Sequence, residues 1–421
     1  MRRALAIDPD HAEALSNRGA ALNELGRTDE ALACHDRALA LSPSDPVALN
    51  NRSIVLVRLG RLEEALAGYD AALATAPDYA DAWCNRGEAL RQLQWLDESV
   101  ESFERALALK PDFAQAHLNE SLSLLLKGEL GTAWAKYEWR WALKPRAERR
   151  GFGQPQWRGI EPLDGRTILL HAEQGLGDTI QFSRYAEAVA ARGARVILEV
   201  QRPLKSLLSR LAGIETIVAR GEPLPGFDLH CPLMSLPLAF ATTLDSIPAR
   251  RKYLAPDPAR AERWSQRLGP QQGLRVGLVW AGNPGHTNDH NRSVPLQAFT
   301  TLLSEGTEFH SLQKESRPGD AAVLAGLTGV RHYGAQLEDF CDTAALASLM
   351  DVVISVDTSV AHLAAALGRP TWVLLPWTPD WRWMLDREDS PWYPTMRLFR
   401  QVRHGDWIPV LDSVRDALCR L

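Results

Sequence analysis

The chain has 421 residues, a formal net charge of −5 at pH 7 and a pI near 6.2, so it is long enough for two or three domains. This acidic balance argues against a nucleic-acid-binding protein, which normally carries a basic patch or stripe. The five cysteines form no C-x-x-C pair, the N-terminus is too polar for a signal peptide, and no apolar run approaches the roughly 18 residues of a membrane helix. The composition therefore predicts a cytoplasmic protein without a transmembrane segment.

The first third of the chain contains an internal repeat of 34 residues. Prolines and small residues recur with this step: Pro9, Pro43, Pro77 and Pro111; Gly26 and Gly60; Ala31 and Ala65; Ala38, Ala72 and Ala106. Small residues let paired helices approach closely, and proline ends the second helix because it cannot continue one. The pattern resembles the tetratricopeptide repeat, a helix-turn-helix unit. We expect a repeat α-solenoid over residues 1–144. We also expect the chain to begin inside a preceding repeat, because "ALAIDP" at 4–9 matches "ALALSP" at 38–43.

One polar position recurs in the first helix of all four units: Asn17, Asn51, Asn85 and Asn119. Stacked repeats would align these side chains as a ladder on the inner surface. An amide side chain donates and accepts at once, which suits an extended peptide backbone. The ladder resembles that of the O-GlcNAc transferase repeats, which holds protein substrates; the alternative is that asparagine is simply a consensus residue here. In both cases a solenoid implies a protein or peptide partner.

After a linker at 145–165, β-rich runs alternate with helical ones, first over 166–254 and again over 255–421. Two such series predict two Rossmann-type lobes, each a parallel sheet with helices on both faces. The predicted fold class is thus α + α/β, a repeat solenoid followed by a two-lobed α/β region. Ligands of such sheets bind beyond the carboxyl ends of the strands, so the cleft between the lobes is the expected site.

The motif "GLGD", residues 175–178, follows the first strand of this region. Gly175 and Gly177 fit neither common phosphate motif, because the dinucleotide fingerprint needs a third glycine where Ile180 stands, and the P-loop needs lysine where Asp178 stands. Aspartate is a good helix cap, and this alone would explain it. The functional hypothesis is that Asp178 is a general base at the cleft.

A second motif, "DTSVAH", opens a helix after a buried strand. A helix start with two hydroxyls, Thr358 and Ser359, can bind a diphosphate through its free N–H groups. His362 lies one turn further and could add a hydrogen bond or a positive charge. The alternative is that Asp357, Thr358 and Ser359 are only caps, with His362 half-buried.

Two further strand ends carry "WAGNPGHTNDHNRS" and "FHSLQKE", which place Asn283, Arg292, Gln313 and Lys314 at the edge of the second sheet. Two cations there suit a departing nucleoside diphosphate whose charge no metal stabilises. The single D-x-D of the chain, Asp8-Pro9-Asp10, lies in a repeat turn, so we expect no metal and no other cofactor. Solvated surface cations are the alternative. The tryptophan-dense segment 376–394 is predicted mainly to pack, with one or two rings lining the cleft.

Together, "GLGD" and "DTSVAH" resemble glycosyltransferase family 9, the ADP-heptose:lipopolysaccharide heptosyltransferases, over roughly residues 166–400. The resemblance implies the two-lobed GT-B fold and an inverting, metal-independent transfer from a nucleotide-sugar. It assigns the base to Asp178, donor contacts to Asp357, Thr358 and His362, and the basic donor residue to Arg292. Ser359 replaces the glycine of the family motif, which puts the closeness of the donor approach in doubt.

Repeats fused to such a unit resemble O-GlcNAc transferases and flagellin-modifying transferases, so we expect a protein acceptor, for example a flagellin-like one. Three alternatives stay open: a scaffold with degenerate lobes, a heptosyltransferase acting on a lipopolysaccharide glycan, and a sugar-nucleotide epimerase that needs no acceptor.

Overall fold

The computed structural model describes residues 5, 7–145, 150–327 and 329–421. Residues 1–4 and 6 of the predicted repeat domain and 146–149 of the predicted linker lie outside the described residues, as does position 328. The chain divides into two compact units, Met1–Arg150 and Gly151–Leu421. Within the described ranges, no helix has the length and apolar character needed to cross a membrane.

The first unit is helical, as the repeat predicts, and helices α1 to α8 alternate as first and second helices of four repeats. The helices of this unit are α1 (Ala12–Glu24), α2 (Thr28–Leu41), α3 (Pro46–Arg58), α4 (Leu62–Thr75), α5 (Ala80–Gln92), α6 (Leu96–Leu109), α7 (Ala114–Lys127), α8 (Leu130–Tyr137) and the single turn α9 (Arg140–Leu143).

The 34-residue step has a direct packing cause. The recurring alanines of the second helices are buried, with Ala65, Ala72 and Ala106 each 0% exposed, because only a methyl group fits between paired helices. The turn between the helices needs a left-handed residue, which glycine adopts at no steric cost. Gly26 and Gly60 supply it with φ of +74° and +73°, whereas the third repeat places Gln94 there with φ of +65°.

The second unit contains two parallel sheets. The strands are β1 (Thr167–His171), β2 (Arg195–Val200), β3 (Thr216–Ala219), β4 (Leu229–Pro232), β5 (Leu274–Val279), β6 (Thr307–Ser311), β7 (Val330–His332), β8 (Val352–Val356), β9 (Thr371–Leu375) and β10 (Met396–Arg400). The first sheet has the order β3-β2-β1-β4 and the second β10-β9-β8-β5-β6-β7, with every pairing parallel. The predicted α + α/β fold class is confirmed.

Short helices connect these strands. They are α10 (Leu176–Phe182), α11 (Ala186–Ala190), α12 (Lys205–Leu208), α13 (Leu236–Ala239), α14 (Pro258–Leu268), α15 (Asp289–Arg292), α16 (Leu296–Phe299), α17 (Asp320–Gly326), α18 (Phe340–Ser348), α19 (Ser359–Ala366) and α20 (Ile408–Leu418). One extended core cluster joins the second sheet to α16 and α20, with Val276, Ile354 and Leu374 fully buried.

The end of the predicted linker belongs to the α/β unit. Trp157 is fully buried, and its backbone N–H donates to the carbonyl of His230 in β4 at 2.7 Å. A large apolar ring gains about 2 to 3 kcal/mol on such burial, so this segment packs with the first sheet.

Candidate functional site

The candidate site lies where the strand order of each sheet reverses. In the first sheet this switch point falls between β1 and β4, and in the second between β5 and β8. Loops leaving opposite faces of a parallel sheet open a crevice at such a point. The crevice of the first lobe receives the segment from Glu173 to Asp178, and that of the second receives the loops that begin at Trp280 and at Asp357.

Asp178 caps α10 and also faces the second lobe. The Gly175 backbone N–H donates to Asp178 Oδ2 at 2.7 Å. The guanidinium of Arg382, from the second lobe, donates to the other oxygen, Oδ1. Capping and a place in the cleft are therefore compatible, and one fifth of the Asp178 side chain stays exposed.

Gly177 lies directly against α19 of the second lobe. A Cβ at this position would lie 2.8 Å from His362 Cδ2 and 3.5 Å from the Ser359 Cα, both in α19. Real Cβ atoms essentially never approach another atom this closely, so any side chain would push α10 away from α19. The second glycine of "GLGD", Gly177, therefore allows α10 of the first lobe to contact α19 of the second.

Asp357, Thr358 and Ser359 lie together at the start of α19. Burial, and next the charge of Asp380, raise the pKa of Asp357 to about 6, against the opposing effects of the Trp383 indole and the Arg292 and Arg382 guanidinium groups. A carboxyl group in this environment changes charge close to neutral pH.

Thr358 is the residue before the first turn of α19. Among the described residues, its hydroxyl accepts no hydrogen bond from a backbone N–H of that turn. Its Oγ1 lies 3.2 Å from Ser355 Oγ, in β8. The N–H groups of the first turn of a helix lack intrahelical acceptors, so the start of α19 offers donors to an anion.

His362 is buried beside other aromatic rings. Burial, followed by the charges of Arg382 and Arg184, holds the pKa of its ring well below the usual range, which favours the uncharged imidazole. Its Nδ1 lies 2.9 Å from the Tyr393 hydroxyl, and its ring stacks on Trp383 with centroids 5.3 Å apart. Of the two roles expected from the sequence, this environment favours the hydrogen bond over the positive charge; its role toward a donor stays a prediction.

Arg292 lies beside the second lobe's switch point and Asn283 forms a turn. Arg292 Nε is 3.5 Å from Asp289 Oδ1, and a Cβ on Gly282 would meet the Arg292 guanidinium at 2.7 Å. Asn283 is exposed, and its Oδ1 accepts from the Gly285 N–H at 2.9 Å, which fixes the turn. The Arg292 guanidinium thus packs against the Gly282 backbone, and its charge lowers the pKa of the Asp357 carboxyl.

Gln313 and Lys314 are both engaged by backbone. The buried Gln313 amide accepts from the Ala281 N–H at 3.2 Å and donates to the Ala281 and Glu315 carbonyls at 3.0 and 3.1 Å. Lys314 Nζ donates to the Glu338 carbonyl at 2.6 Å. Gln313 therefore ties the ends of β5 and β6, and both N–H groups of its amide are already used by backbone carbonyls.

The sequence reasoning missed Arg382 and Arg317. Arg382 lies in the tryptophan-dense segment, where Trp383 and Trp392 are fully buried, and it is the side chain that reaches Asp178. Arg317 follows β6 and donates to the buried Asp289 carboxylate. The available signal for Arg382 was a lone cation between two tryptophans, because a charged group is kept in an apolar run only when it has partners.

The asparagines predicted as a ladder occupy the sixth position of α1, α3, α5 and α7. Asn85 Nδ2 donates to Asn50 Oδ1 at 2.9 Å, and Asn50 Nδ2 donates to Asn51 Oδ1 at 3.3 Å, so neighbouring repeats are linked by amides. Asn17 is exposed, whereas Asn119 is only 9% exposed and its Oδ1 accepts from Gln115 Nε2 at 2.8 Å.

Across the described residues, no group of three or more His, Cys, Asp or Glu side chains is arranged to hold a metal ion. The expectation that transfer needs no metal stays a prediction.

Comparisons with known proteins match both units. Tetratricopeptide repeat models match residues 12–45 and 51–112, and the model of glycosyltransferase family 9 (heptosyltransferase) matches residues 338–392, which contain the start of α19 and Arg382. Protein FlbA of Caulobacter vibrioides is 30% identical over 328 residues, which are 70% of this chain and 53% of that protein. The chain thus spans about half the length of this relative.

Several solved structures match about a third of the chain or less. MamA is 20% identical over 34% of this chain and 82% of its own, with a TM-score of 0.31. TTC0263 of Thermus thermophilus is 28% identical over 32% and 74%, with a TM-score of 0.30. The first repeat domain of RPAP3 is 31% identical over 25% and 83%, with a TM-score of 0.25.

The family-9 match supports a glycosyltransferase as the class of activity, and the repeats are of the kind that bind proteins or peptides. The chain joins tetratricopeptide repeats to an α/β unit like that of glycosyltransferase family 9.

Proposed function

We propose that the chain transfers a sugar, without a metal, from a nucleotide-sugar to an acceptor hydroxyl on a protein, with inversion at the anomeric carbon. One observation carries the proposal. The carboxylate of Asp178, at the switch point of one sheet, lies across from the start of α19, at the switch point of the other, whose free N–H groups would bind an anion.

The donor diphosphate is assigned to the second lobe. The N–H groups at the start of α19 and the hydroxyls of Thr358 and Ser359 would hold its oxygens, and Arg292 would neutralise the charge that develops on the leaving group. Lys314 and Asn283 lie at the same sheet edge and would contact the nucleotide after giving up their present partners.

In the transfer step the acceptor oxygen attacks the anomeric carbon from the face opposite the diphosphate. The O–H bond of the acceptor breaks and its proton passes to Asp178, while the bond from the anomeric carbon to the diphosphate oxygen breaks with its electron pair. The products are the glycosidic bond, the nucleoside diphosphate and protonated Asp178, which returns its proton to water. A positioned general base contributes about 10² to 10⁴ in rate to such a step.

The acceptor is assigned to the repeats. Solenoids present extended surfaces, and the amides of Asn51 and Asn85 lie on adjacent first helices, where they would hydrogen-bond the backbone of an extended segment. The sugar would then be added to a hydroxyl of the acceptor protein whose segment the repeats bind.

The proposal is tested by incubating the purified protein with UDP-, GDP-, ADP- and CMP-sugars and a host lysate, followed by mass spectrometry of the lysate proteins. We expect a sugar-mass increment on a protein, which Asp178→Asn removes while donor affinity stays nearly unchanged. Asn51→Ala/Asn85→Ala should weaken labelling of that protein at limiting acceptor concentration.

Each failure points to another class. No increment and no nucleotide-sugar binding would establish a scaffold, and a changed sugar in the absence of acceptor would establish an epimerase. An increment confined to lipopolysaccharide would move the acceptor from protein to glycan. Undiminished transfer by Asp178→Asn would overturn the assignment of the base.

A further inference from the structure

Arg382 is the side chain that connects the two lobes at the candidate site. It is buried, with 7% of its side chain exposed, and each of its three guanidinium nitrogens has a partner. Its Nε donates to Gln181 Oε1 at 2.7 Å, one terminal nitrogen donates to Asp380 Oδ1 at 2.7 Å, and the other donates to Asp178 Oδ1. Two of these partners, Asp178 and Gln181, lie in α10 of the opposite lobe.

Aromatic rings from both lobes cover the same guanidinium. Its carbon lies 4.5 Å from the ring centroid of Trp381, in its own lobe, and 5.7 Å from that of Phe182, at the end of α10. A guanidinium at these distances over a ring face is attracted by the ring quadrupole, most strongly where water is excluded. The rings and the carboxylates together define one position for the planar group.

Arg400, in β10, holds the backbone of the segment that carries Arg382. The Arg400 guanidinium donates to the carbonyls of Trp383, Met384 and Arg387 at 2.5, 2.8 and 2.9 Å. Met384 is held in a left-handed conformation, with φ of +52°, which a non-glycine residue keeps only when its surroundings fix it. Contacts within the second lobe therefore fix the backbone of the segment that carries Arg382, and the guanidinium reaches from there to α10.

We propose that Arg382 is a positioning residue for the base of the transfer step, and that it aligns the Asp178 carboxylate only while the lobes are together. The inference rests on the proposed function and adds to it a dependence of the base on lobe closure.

The hydrogen bonds of Asp178 show how this would work. One oxygen accepts from the Gly175 N–H and the other from Arg382, so the carboxylate cannot rotate, while each oxygen keeps a lone pair. When the acceptor O–H bond breaks and the proton arrives on Asp178, the residue becomes neutral and the ion pair across the cleft is lost. Proton transfer would thus loosen the lobes at the point where product must leave.

The test compares Arg382→Gln with Arg382→Lys, and uses Arg387→Gln as the matched control. Arg387 lies in the same segment, but its guanidinium pairs with Asp389 at 2.8 Å, away from α10. The measurements are kcat and donor KM with the donor and acceptor identified in the lysate experiment. A displacement of a catalytic group by about 1 Å can cost about 10²-fold in rate, so loss of the side chain that orients the Asp178 carboxylate should lower kcat and leave donor KM nearly unchanged.

We expect Arg382→Gln to lower kcat about tenfold or more at neutral pH, with little change in donor KM. Arg382→Lys keeps the charge without the planar fork, so it should recover only part of the lost kcat. Arg387→Gln should match the wild-type kcat and donor KM.

The outcomes separate this inference from the proposed function. Transfer by the wild-type chain together with wild-type kcat in folded Arg382→Gln, or a loss that appears only as a raised donor KM, would overturn the inference alone. If Arg382→Gln does not fold, wild-type kcat in Arg382→Lys overturns it. Absence of transfer by the wild-type chain would overturn the proposed function, and the inference with it.

Discussion

At the starts of α10 and α19 an aspartate follows a buried strand, but the two carboxyl groups have different electrostatic surroundings. Each follows a buried parallel strand, carries an aspartate and faces the cleft. Asp178 accepts hydrogen bonds from a backbone N–H and from a guanidinium, so its charge is satisfied. Asp357 is desolvated beside Asp380, and its pKa rises to about 6. An acid after a strand is therefore no guide to its charge, because the neighbours come from other parts of the chain.

The contact between the two helix starts offers the largest effect. Gly177→Ala would place a methyl group 2.8 Å from the His362 ring, which Trp383 and Tyr393 hold from the other side. Either the buried His362 ring or α10 must then shift, and a displacement of about 1 Å can cost about 10²-fold in rate. We expect kcat to fall by about that factor.

Steady-state kinetics check this, with Gly226→Ala as the control, because nothing lies within 4 Å of a Cβ at Gly226. Wild-type kcat in Gly177→Ala would show that α10 and α19 need not touch for transfer.

Replacing Asp178 or Asp357 by asparagine should change the free energy of unfolding in opposite directions. Asp178→Asn removes the ion pair with the buried Arg382, and we expect the free energy of unfolding to fall by about 1 to 3 kcal/mol. Asp357→Asn removes a desolvated charge, and we expect the free energy of unfolding to rise by about 2 kcal/mol at pH 8. Both variants should lose transfer.

The pH dependence gives the sign for Asp357. Its folded pKa, about 6, lies above the ordinary 3.8, so the native state binds the proton more tightly between these values. The stabilisation this brings is complete below pH 3.8 and is lost as the pH rises through 6. The advantage of Asp357→Asn should therefore shrink between pH 8 and pH 5 in urea unfolding. A destabilised Asp357→Asn at pH 8 would contradict the desolvated carboxylate.

Thr358→Val should have the smallest effect on stability. An N-cap threonine contributes about 1 kcal/mol when its hydroxyl caps the helix, but the Thr358 hydroxyl contacts Ser355 instead. We expect a change below about 0.5 kcal/mol in unfolding and a threefold to tenfold rise in donor KM, the value of about one hydrogen bond. A loss of about 1 kcal/mol with unchanged KM would make Thr358 a cap only.

The repeat unit could be predicted in detail because its contacts are local in sequence. The recurring alanines Ala31, Ala65 and Ala106 pack in clusters whose members come from one 34-residue unit and the next, so the spacing alone identifies the buried face. The left-handed conformation of Gln94 could not be predicted from the spacing, because the third repeat has no glycine at this turn. The turn still requires a left-handed residue, and Gln94 adopts φ of +65°.

The sequence by itself determined the repeats, the strand–helix alternation and the residues that follow β1, β5, β6 and β8, because these depend on short-range pattern. Only the tertiary structure decided what those residues contact. Arg382 meets Asp178 across 204 positions of the chain, Gly177 meets His362, and Gln313 is taken up by the backbone of Ala281. Local periodicity reports which face of an element is buried, whereas charge, protonation and reach depend on neighbours that only the packing of the two lobes brings together.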